Sequence, residues 1–387
     1  MQLITLAALL PFALAAPLIQ QPGAQLVQDQ FIIKLKDGAS DRALQNALRH
    51  VKNGNVKHSY RNTRFKGFAA KLNRQTLEEI RKLPEVEYVE QDAVVRAYSL
   101  VTQENVPWGL GRISHRQNLA TTYVYDESAG EDTCSYIVDT GIYVEHNEFE
   151  GRAEWLVNTI DTDDTDGNGH GTHVAGTVGG VTFGVAKKTR LFGVKVLDKW
   201  GSGTWSSVIA GIDFVASDAA NRTAAGECQK GAVANLSLGG YRNDAVNSAV
   251  AAAVNSGVVF VVAAGNSGDD AYWYSPASEP TAITVGASDF TDTVAYFSNY
   301  GATVDVFAPG VNVASAWIGG VDETNAIDGT SMASPHVAGL AAYILGLQGP
   351  KTPAEISDII RNTSTTGVLS GLSPDTFNGV AFNGATE

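Results

Sequence analysis

Apolar and polar positions along the chain follow two regimes, and the change comes near residue 100. In the first, apolar runs are short and interleaved with charge. FIIKLK (Phe31–Lys36) predicts a strand. LEEIRKLP sets Leu77, Ile80 and Leu83 at helical spacing before Pro84, which ends the helix. VEYVEQD (Val86–Asp92) predicts a strand with Val86, Tyr88 and Glu90 on one face. Together these describe a small α+β unit with a folded core of about residues 28–96. A polar, unpatterned stretch follows, AYSLVTQENV (97–106), a candidate processing linker. Beyond it, apolar runs bounded by glycine or aspartate recur: SYIVDTGI (135–142), RLFGVKVLD (190–198), GAVANLSLGG (231–240), GVVFVVAAGN (257–266) and TAITVGAS (281–288). Alanine-rich helical stretches lie between several of them, SSVIAGIDFVASDAA (206–220) and AVNSAVAAAVNSG (245–257) among them. Strands apolar throughout, alternating with helices, predict an α/β fold with a parallel sheet covered on both faces.

Composition makes this architecture affordable in size. The chain has 387 residues, 44% hydrophobic and 18% charged, enough for one large domain and a small one. It begins MQLITLAALLPFALAAP, a short apolar run followed by Ala13-Leu14-Ala15, which predicts a secretory signal over residues 1–15 and an extracellular protein. No later run of eighteen apolar residues occurs, so no membrane span is expected. Secretion favours a disulfide between the two cysteines, Cys134 and Cys228, with two buried thiols as the alternative. Residues 16–100 carry 14 Lys and Arg against 9 Asp and Glu, a net of +5, and residues 101–387 carry 13 against 32, a net of −19. A basic front on an acidic body predicts two units that attract each other, and the acidic body argues against nucleic-acid binding.

Functional groups of a parallel sheet gather beyond the carboxyl ends of its strands. SYIVD ends in Asp139, a carboxylate that burial would penalise unless a partner such as an imidazole satisfied it. DGNGHGTHVAGTVGG (166–180) supplies His170 and His173, three apart and on one helical face; spacing alone does not choose between them. HxxH lacks the glutamate of HExxH, which speaks against zinc. GTSMASPHVAGLAA (329–342) places Ser331 at the start of a helical run, with Pro335 expected in its first turn. Backbone N–H groups there would favour a developing oxyanion. His336 lies too far along the helix to turn back, so the base must come from elsewhere.

DTG (139–141), HGTHVAG (170–176) and GTSMASPHVAG (329–339), in that order, resemble the three signature blocks of the subtilisin-like serine proteases. PWGL (107–110), DESAG (126–130), GVAKKT (184–189), LFGVKVLD (191–198), YSPASEP (274–280) and FSNYG (297–301) are similar to the secreted fungal branch that includes proteinase K. The resemblance covers nearly all of 101–387, and the front unit ending VEYVEQDAVV resembles that family's inhibitory propeptide.

The resemblance implies a subtilisin-like three-layer αβα fold with a mainly parallel central sheet over 101–387, preceded by a ferredoxin-like α+β propeptide over 16–100. It implies a self-processing zymogen of a serine endopeptidase: His170 as base, His173 as a structural residue, Ser331 as nucleophile, Asp139 as the residue that orients the imidazole, and Asn266 in the oxyanion hole. It implies substrate binding by β-augmentation between Gly201, Ser202 and Gly203 on one side and Ser237, Leu238, Gly239 and Gly240 on the other. Ala263, Ala264 and Gly265 would line a wide apolar S1 slot suited to aromatic or large aliphatic P1 side chains, with Trp205 near S4. It also implies the Cys134–Cys228 bridge. No cofactor would serve catalysis, but structural Ca²⁺ would be held by the carbonyls of Pro280 and Ala282 and the carboxylate of Asp305. Protein and peptide substrates and the chain's own propeptide are the implied partners, with no nucleic acid or membrane, and a monomer is expected. The rival readings are a catalytically dead peptide binder, which the intact set argues against, and an α/β-hydrolase esterase, which needs GxSxG and the order Ser, Asp, His. A metal-dependent hydrolase is the third. The acidic run DTDDTDGNG (161–169) reads as a solvated loop, and Asn221 and Asn362 begin glycosylation sequons.

Overall fold

The structure, a computed structural model, describes residues 15–20, 26–52, 55–62, 64–94 and 99–385. These fall into two compact units, one reaching to Ala97 and the other starting at Tyr98. The predicted signal segment lies outside the described residues except for Ala15.

In the first unit, strands Leu26–Leu35, Val56–Arg61, Lys66–Lys71 and Val86–Ala93 alternate with helices Asp41–Leu48 and Arg74–Arg81 in the order βαββαβ. Leu26–Leu35 lies antiparallel between Lys66–Lys71 and Val86–Ala93, and Val56–Arg61 closes the sheet beside Lys66–Lys71. This is the ferredoxin-like arrangement. Both helices start on side-chain caps: Ser40 Oγ accepts the Ala43 N–H and Asn73 Oδ1 accepts the Thr76 N–H. The alternation expected in Val86–Asp92 is broken. Lys34 and Leu35 of the partner strand pair with Tyr88 and Val86, so Glu87 is an extra residue that shifts the phase, and the structure buries Val86 and Val89 instead of aligning Val86, Tyr88 and Glu90.

The second unit is built on seven parallel strands: β1 (Thr133–Asp139), β2 (Ala153–Asn158), β3 (Arg190–Lys195), β4 (Gly231–Leu236), β5 (Val259–Ala263), β6 (Ile283–Ser288) and β7 (Val306–Pro309). Their spatial order is β2-β3-β1-β4-β5-β6-β7. Short strands Gly379–Val380 and Thr365–Thr366 extend the β7 edge, the last of them antiparallel. The helices that matter here are α1 (His170–Gly179), α2 (Trp205–Ala224), α3 (Asp244–Asn255), α4 (Thr330–Gln348) and α5 (Pro353–Thr363).

Successive residues of one strand enter opposite cores, which is why the strands read as unbroken apolar runs. Ile137 and Val261 pack with α1, α4 and α5 on one face. Tyr136, Val138, Phe260 and Val262 pack with α2 and α3 on the other. The result is a three-layer αβα unit. Cys134 on β1 and Cys228 before β4 form the disulfide, with Cα atoms 5.5 Å apart across 94 residues of sequence. In the chain-entropy account, closing a loop of that length stabilises by about 4–5 kcal/mol.

The stretch expected as an unpatterned linker contains a strand, Leu100–Glu104, antiparallel to Thr122–Asp126. Its outward positions, Leu100, Thr102 and Glu104, are exposed, and only Val101 and Gln103 turn partly inward. With one apolar residue on the inner face, period two was not legible. No helix among the described residues is long and apolar enough to cross a membrane.

Candidate active site

Strand β1 is buried at every position and ends at Asp139, which is fully inaccessible. Asp139 Oδ1 accepts the Thr140 N–H at 2.7 Å and the His170 Nδ1–H at 2.8 Å. These bonds offset part of the cost of burying the carboxylate. They also fix the tautomer of His170, leaving Nε2 as the free, basic nitrogen.

His170 is the first residue of α1, and a second buried aspartate sets its place. Asp166 Oδ1 accepts from Thr140 Oγ1 (2.8 Å) and from the Gly169 N–H (2.9 Å). Asp166 Oδ2 accepts from the Thr172 N–H (2.9 Å) and Oγ1 (2.6 Å). Its carboxylate thus ties the start of α1 to the residue after Asp139. The acidic run is therefore not wholly solvated, as its composition suggested. Asp161, Asp163 and Asp164 are exposed, but Asp166 is buried. The signal was present in its place, four residues before a histidine that begins a helix. Three neighbouring aspartates hid it.

Burial pulls the His170 pKa down, but the Asp139 carboxylate, through charge and hydrogen bond, and Asp166 through charge, outweigh it and raise the pKa above the ordinary 6.5. His173 faces the interior. Its Nε2 donates to Val313 O at 2.9 Å, and burial lowers its pKa to about 4. His336 is likewise buried; its Nδ1 donates to Met332 O at 2.8 Å, and its pKa falls to about 4.

Ser331 is the second residue of α4. Pro335 lies in the second turn rather than the first, so the Ser331 carbonyl, four residues earlier, has no helical N–H to accept. Ser237 replaces that donor: its Oγ donates to Ser331 O at 2.7 Å. Asn235 Nδ2 in turn donates to Ser237 Oγ, and Ser334 Oγ donates to Asn235 Oδ1. A proline in the helix is thus tolerated through a buried chain of side chains that also fixes Ser331 against β4. The Ser331 hydroxyl itself donates to Ser237 O at 3.1 Å.

Asn266 follows β5. Its Oδ1 accepts both the N–H (2.9 Å) and the Oγ1–H (2.8 Å) of Thr330. That leaves the amide Nδ2 as the group free to donate to a ligand. A Cβ added to Gly329 would lie 3.5 Å from Ser331 N and 3.6 Å from Asn266 Nδ2, so the two donors flank one small space that glycine keeps open. The Gly329 φ of +154° also favours glycine.

Two adjoining cavities complete the site. One, of about 770 Å³, is lined by His170, by Gly201–Gly203, by Trp205 and by Ser237–Gly240. The other, of about 320 Å³, is lined by Ala263–Gly265, Asn266, Ser331 and Leu238–Tyr241. The segment 238–240 is the ledge between them. Trp205 packs beneath that ledge, and a Cβ on Gly240 would come within 2.8 Å of its ring.

Asp305 immediately precedes β7. Burial pushes its carboxyl up to about 6; its Oδ2 accepts the Thr284 N–H at 2.8 Å, and Arg361 stands 3.8 Å from its Oδ1. This half-buried oxygen donor, beside the segment that follows Pro280 and Ala282, fits a hard cation. Among the described residues no three His, Cys, Asp or Glu side chains gather as a metal site, so such a cation would rely mainly on carbonyl oxygens.

A parallel αβα sheet with Asp, His and Ser brought to one end, and paired donors beside the serine, defines a hydrolase of the serine endopeptidase class. The chain belongs to the Subtilase family, whose description matches residues 136–380, and residues 30–98 match Peptidase inhibitor I9. It is therefore a serine protease made as a zymogen with an N-terminal inhibitory unit. It is 48% identical over 396 residues to the cuticle-degrading protease of Metarhizium anisopliae, covering the whole of both chains. Proteinase R of Parengyodontium album is 50% identical over 368 residues, covering 95% of this chain and 92% of that one. A solved cold adapted subtilisin-like serine proteinase superposes with a TM-score of 0.67 at 41% identity, covering 72% of this chain and 98% of that one.

Proposed function

We propose that the second unit is a secreted, broad-specificity endopeptidase in which Ser331, His170 and Asp139 form the catalytic triad. The Asp139–His170 hydrogen bond, with the Ser331 and Asn266 donors around one space, is the observation that carries this reading. His170 Nε2 takes the Ser331 proton as Oγ attacks the scissile carbonyl. Asp139 stabilises the imidazolium that results. The Ser331 N–H and Asn266 Nδ2 receive the oxyanion. His170 then protonates the leaving amine, and water hydrolyses the acyl-enzyme by the same route in reverse. The substrate backbone lies against 201–203 and 237–240, and its P1 side chain enters the slot walled by Ala263, Ala264 and Gly265.

The wide alanine and glycine walls favour large apolar P1 groups. Peptides differing only at P1 test this: kcat/KM is expected to be highest for Phe, Tyr and Leu, and equal rates with Asp or Lys at P1 would contradict the slot assignment.

Asn266→Asp keeps the oxygen that Thr330 donates to while removing the Nδ2 donor. We expect kcat to fall by roughly 10²–10³-fold with KM little changed, the size of loss known for the corresponding donor of subtilisin itself. An unchanged kcat would remove Asn266 from the mechanism.

Ca²⁺ held by Asp305 and the Pro280 and Ala282 carbonyls would stabilise the fold without entering the reaction. At a free concentration near 100 times its dissociation constant it would contribute about 2.7 kcal/mol. EGTA is then expected to lower the melting temperature by roughly 5–10 °C. Asp305→Asn should show the lowered value and no longer respond to EGTA; a variant that still responds places the cation elsewhere.

A further inference from the structure

The ledge that separates the two cavities continues into a projecting two-stranded ribbon. Gly240–Tyr241 pairs antiparallel with Tyr274–Ser275, Gly240 opposite Ser275 and Tyr241 opposite Tyr274. The ribbon carries four aromatic side chains within five sequence positions of its two strands. Tyr241 stacks on Tyr274 with ring centroids 5.7 Å apart. Next along, Arg242 lies 4.5 Å over the ring of Tyr272, and Trp273 meets Tyr272 edge to face at 5.0 Å. These rings are not core. Tyr241 is 81% exposed, Trp273 56% and Tyr272 45%.

Nor do they belong to a loose loop. The Arg242 N–H donates to Trp273 O, the Tyr272 N–H to Asp270 Oδ1, and the Ala271 N–H to Tyr300 O. Rings exposed to water and held in place by their neighbours gain little for the fold of this unit. They make a pre-ordered contact surface, and Tyr, Trp and Arg are the side chains that dominate binding energy at protein interfaces.

Position decides what the surface meets. Tyr241 and Tyr274 line the same cavity as Ser331 and Asn266, so the aromatic surface is continuous with the cleft. Asp244, Asp269 and Asp270 lie on the same segments; Arg242 pairs with Asp244 at 3.3 Å, which leaves Asp269 and Asp270 to set a negative rim. We propose that the ribbon is an exosite for protein substrates: it binds apolar, aromatic or basic side chains of the chain being cut, beyond the residues held in the cleft. This rests on the endopeptidase reading above and adds to it a surface that short peptides do not reach.

The test compares substrates of two lengths on the mature enzyme. Tyr272→Ala combined with Trp273→Ala leaves the cavity lining intact. We expect about a tenfold fall in kcat/KM for unfolded casein, carried mainly by KM, the size of loss that truncating aromatic interface anchors gives. Hydrolysis of a tetrapeptide anilide should stay within about twofold of wild type. Tyr272→Phe with Trp273→Phe, which keeps the aromatic surfaces, should restore most of the casein rate. Equal rates on casein for the alanine variant and wild type overturn the proposal. So does an equal loss on both substrates, which would mean the ribbon supports the cleft or the fold. Retention of wild type, but not of the alanine variant, on insoluble polysaccharide with casein hydrolysis unchanged would assign the surface to a glycan instead. A wild-type enzyme that cleaves neither substrate would sink the endopeptidase reading itself, a separate outcome.

Discussion

Ser331→Ala, expressed with the propeptide attached, is expected to stay full length and to lose roughly 10⁶-fold in peptide hydrolysis, the magnitude known for the same substitution in subtilisin. In the proposed mechanism one hydroxyl serves both reactions, because excision of the propeptide and cleavage of substrate would each need an acyl-enzyme. The fold should survive. The hydroxyl is only partly buried and makes a single weak bond, to Ser237 O at 3.1 Å, so its loss costs about 1 kcal/mol. The Ser237–Asn235–Ser334 chain holds the Ser331 backbone and does not use its side chain. A gel and a peptide assay on both proteins decide the matter. A variant that matures unaided and cleaves peptide would show that another nucleophile exists, and the triad would have to be abandoned.

Asp139→Asn is expected to lower kcat by about 10⁴-fold while leaving the structure in place, as the same change does in other triad proteases. Asp139 Oδ1 accepts from both Thr140 N–H and His170 Nδ1–H. Both donors meet one oxygen, so an asparagine that keeps its oxygen there still accepts from Nδ1–H and loses only the negative charge. The imidazolium that forms when Nε2 takes a proton is then left without its counter-charge in a buried site, so Nε2 becomes a weaker base.

The pH profile separates this from simple damage. In the proposed mechanism only neutral His170 can take the serine proton, so activity should be lost as pH falls through its pKa. In the wild type the two carboxylates hold that pKa above 6.5, so the acid limb of kcat/KM should have its midpoint above 6.5. In Asp139→Asn the largest opposing charge is gone, burial prevails, and the midpoint should move below the wild-type value. An acid limb that does not move would mean that His170 is not the titrating base.

Some of this site was legible in the residues themselves and some was not. Asp139 could be found because a carboxylate closing an apolar run has few stable uses. Ser331 could be found because small residues and a helix start surround it. His170 and His173 could not be told apart by spacing. The difference lies in what each ring meets: Asp139 for one, the Val313 carbonyl for the other. Those partners are 31 and 140 residues away. Pro335 was misplaced by one turn because the donor that compensates for it, Ser237, is 94 residues distant from Ser331. Asp166 was passed over because a buried cap and a solvated loop have the same local composition.

Periodicity and chain order were legible along the chain: unbroken apolar strands alternating with helices, hence a parallel sheet covered on both faces, and chemistry at the strand ends. So were the small basic front unit and the cysteines available to pair. The tertiary structure alone decided the phase of the strand Val86–Ala93, where the extra residue Glu87 in its pairing overrides local alternation, and the strand Leu100–Glu104, whose inner face has one apolar residue. It alone decided which histidine meets Asp139, that Asn266 Nδ2 and Ser331 N flank one space, and that four aromatic rings gather beside the cleft. The physical reason is common to these cases. Periodicity is a local property of the chain, whereas hydrogen-bond partners, register and exposure depend on residues brought together only when the sheet has closed its order.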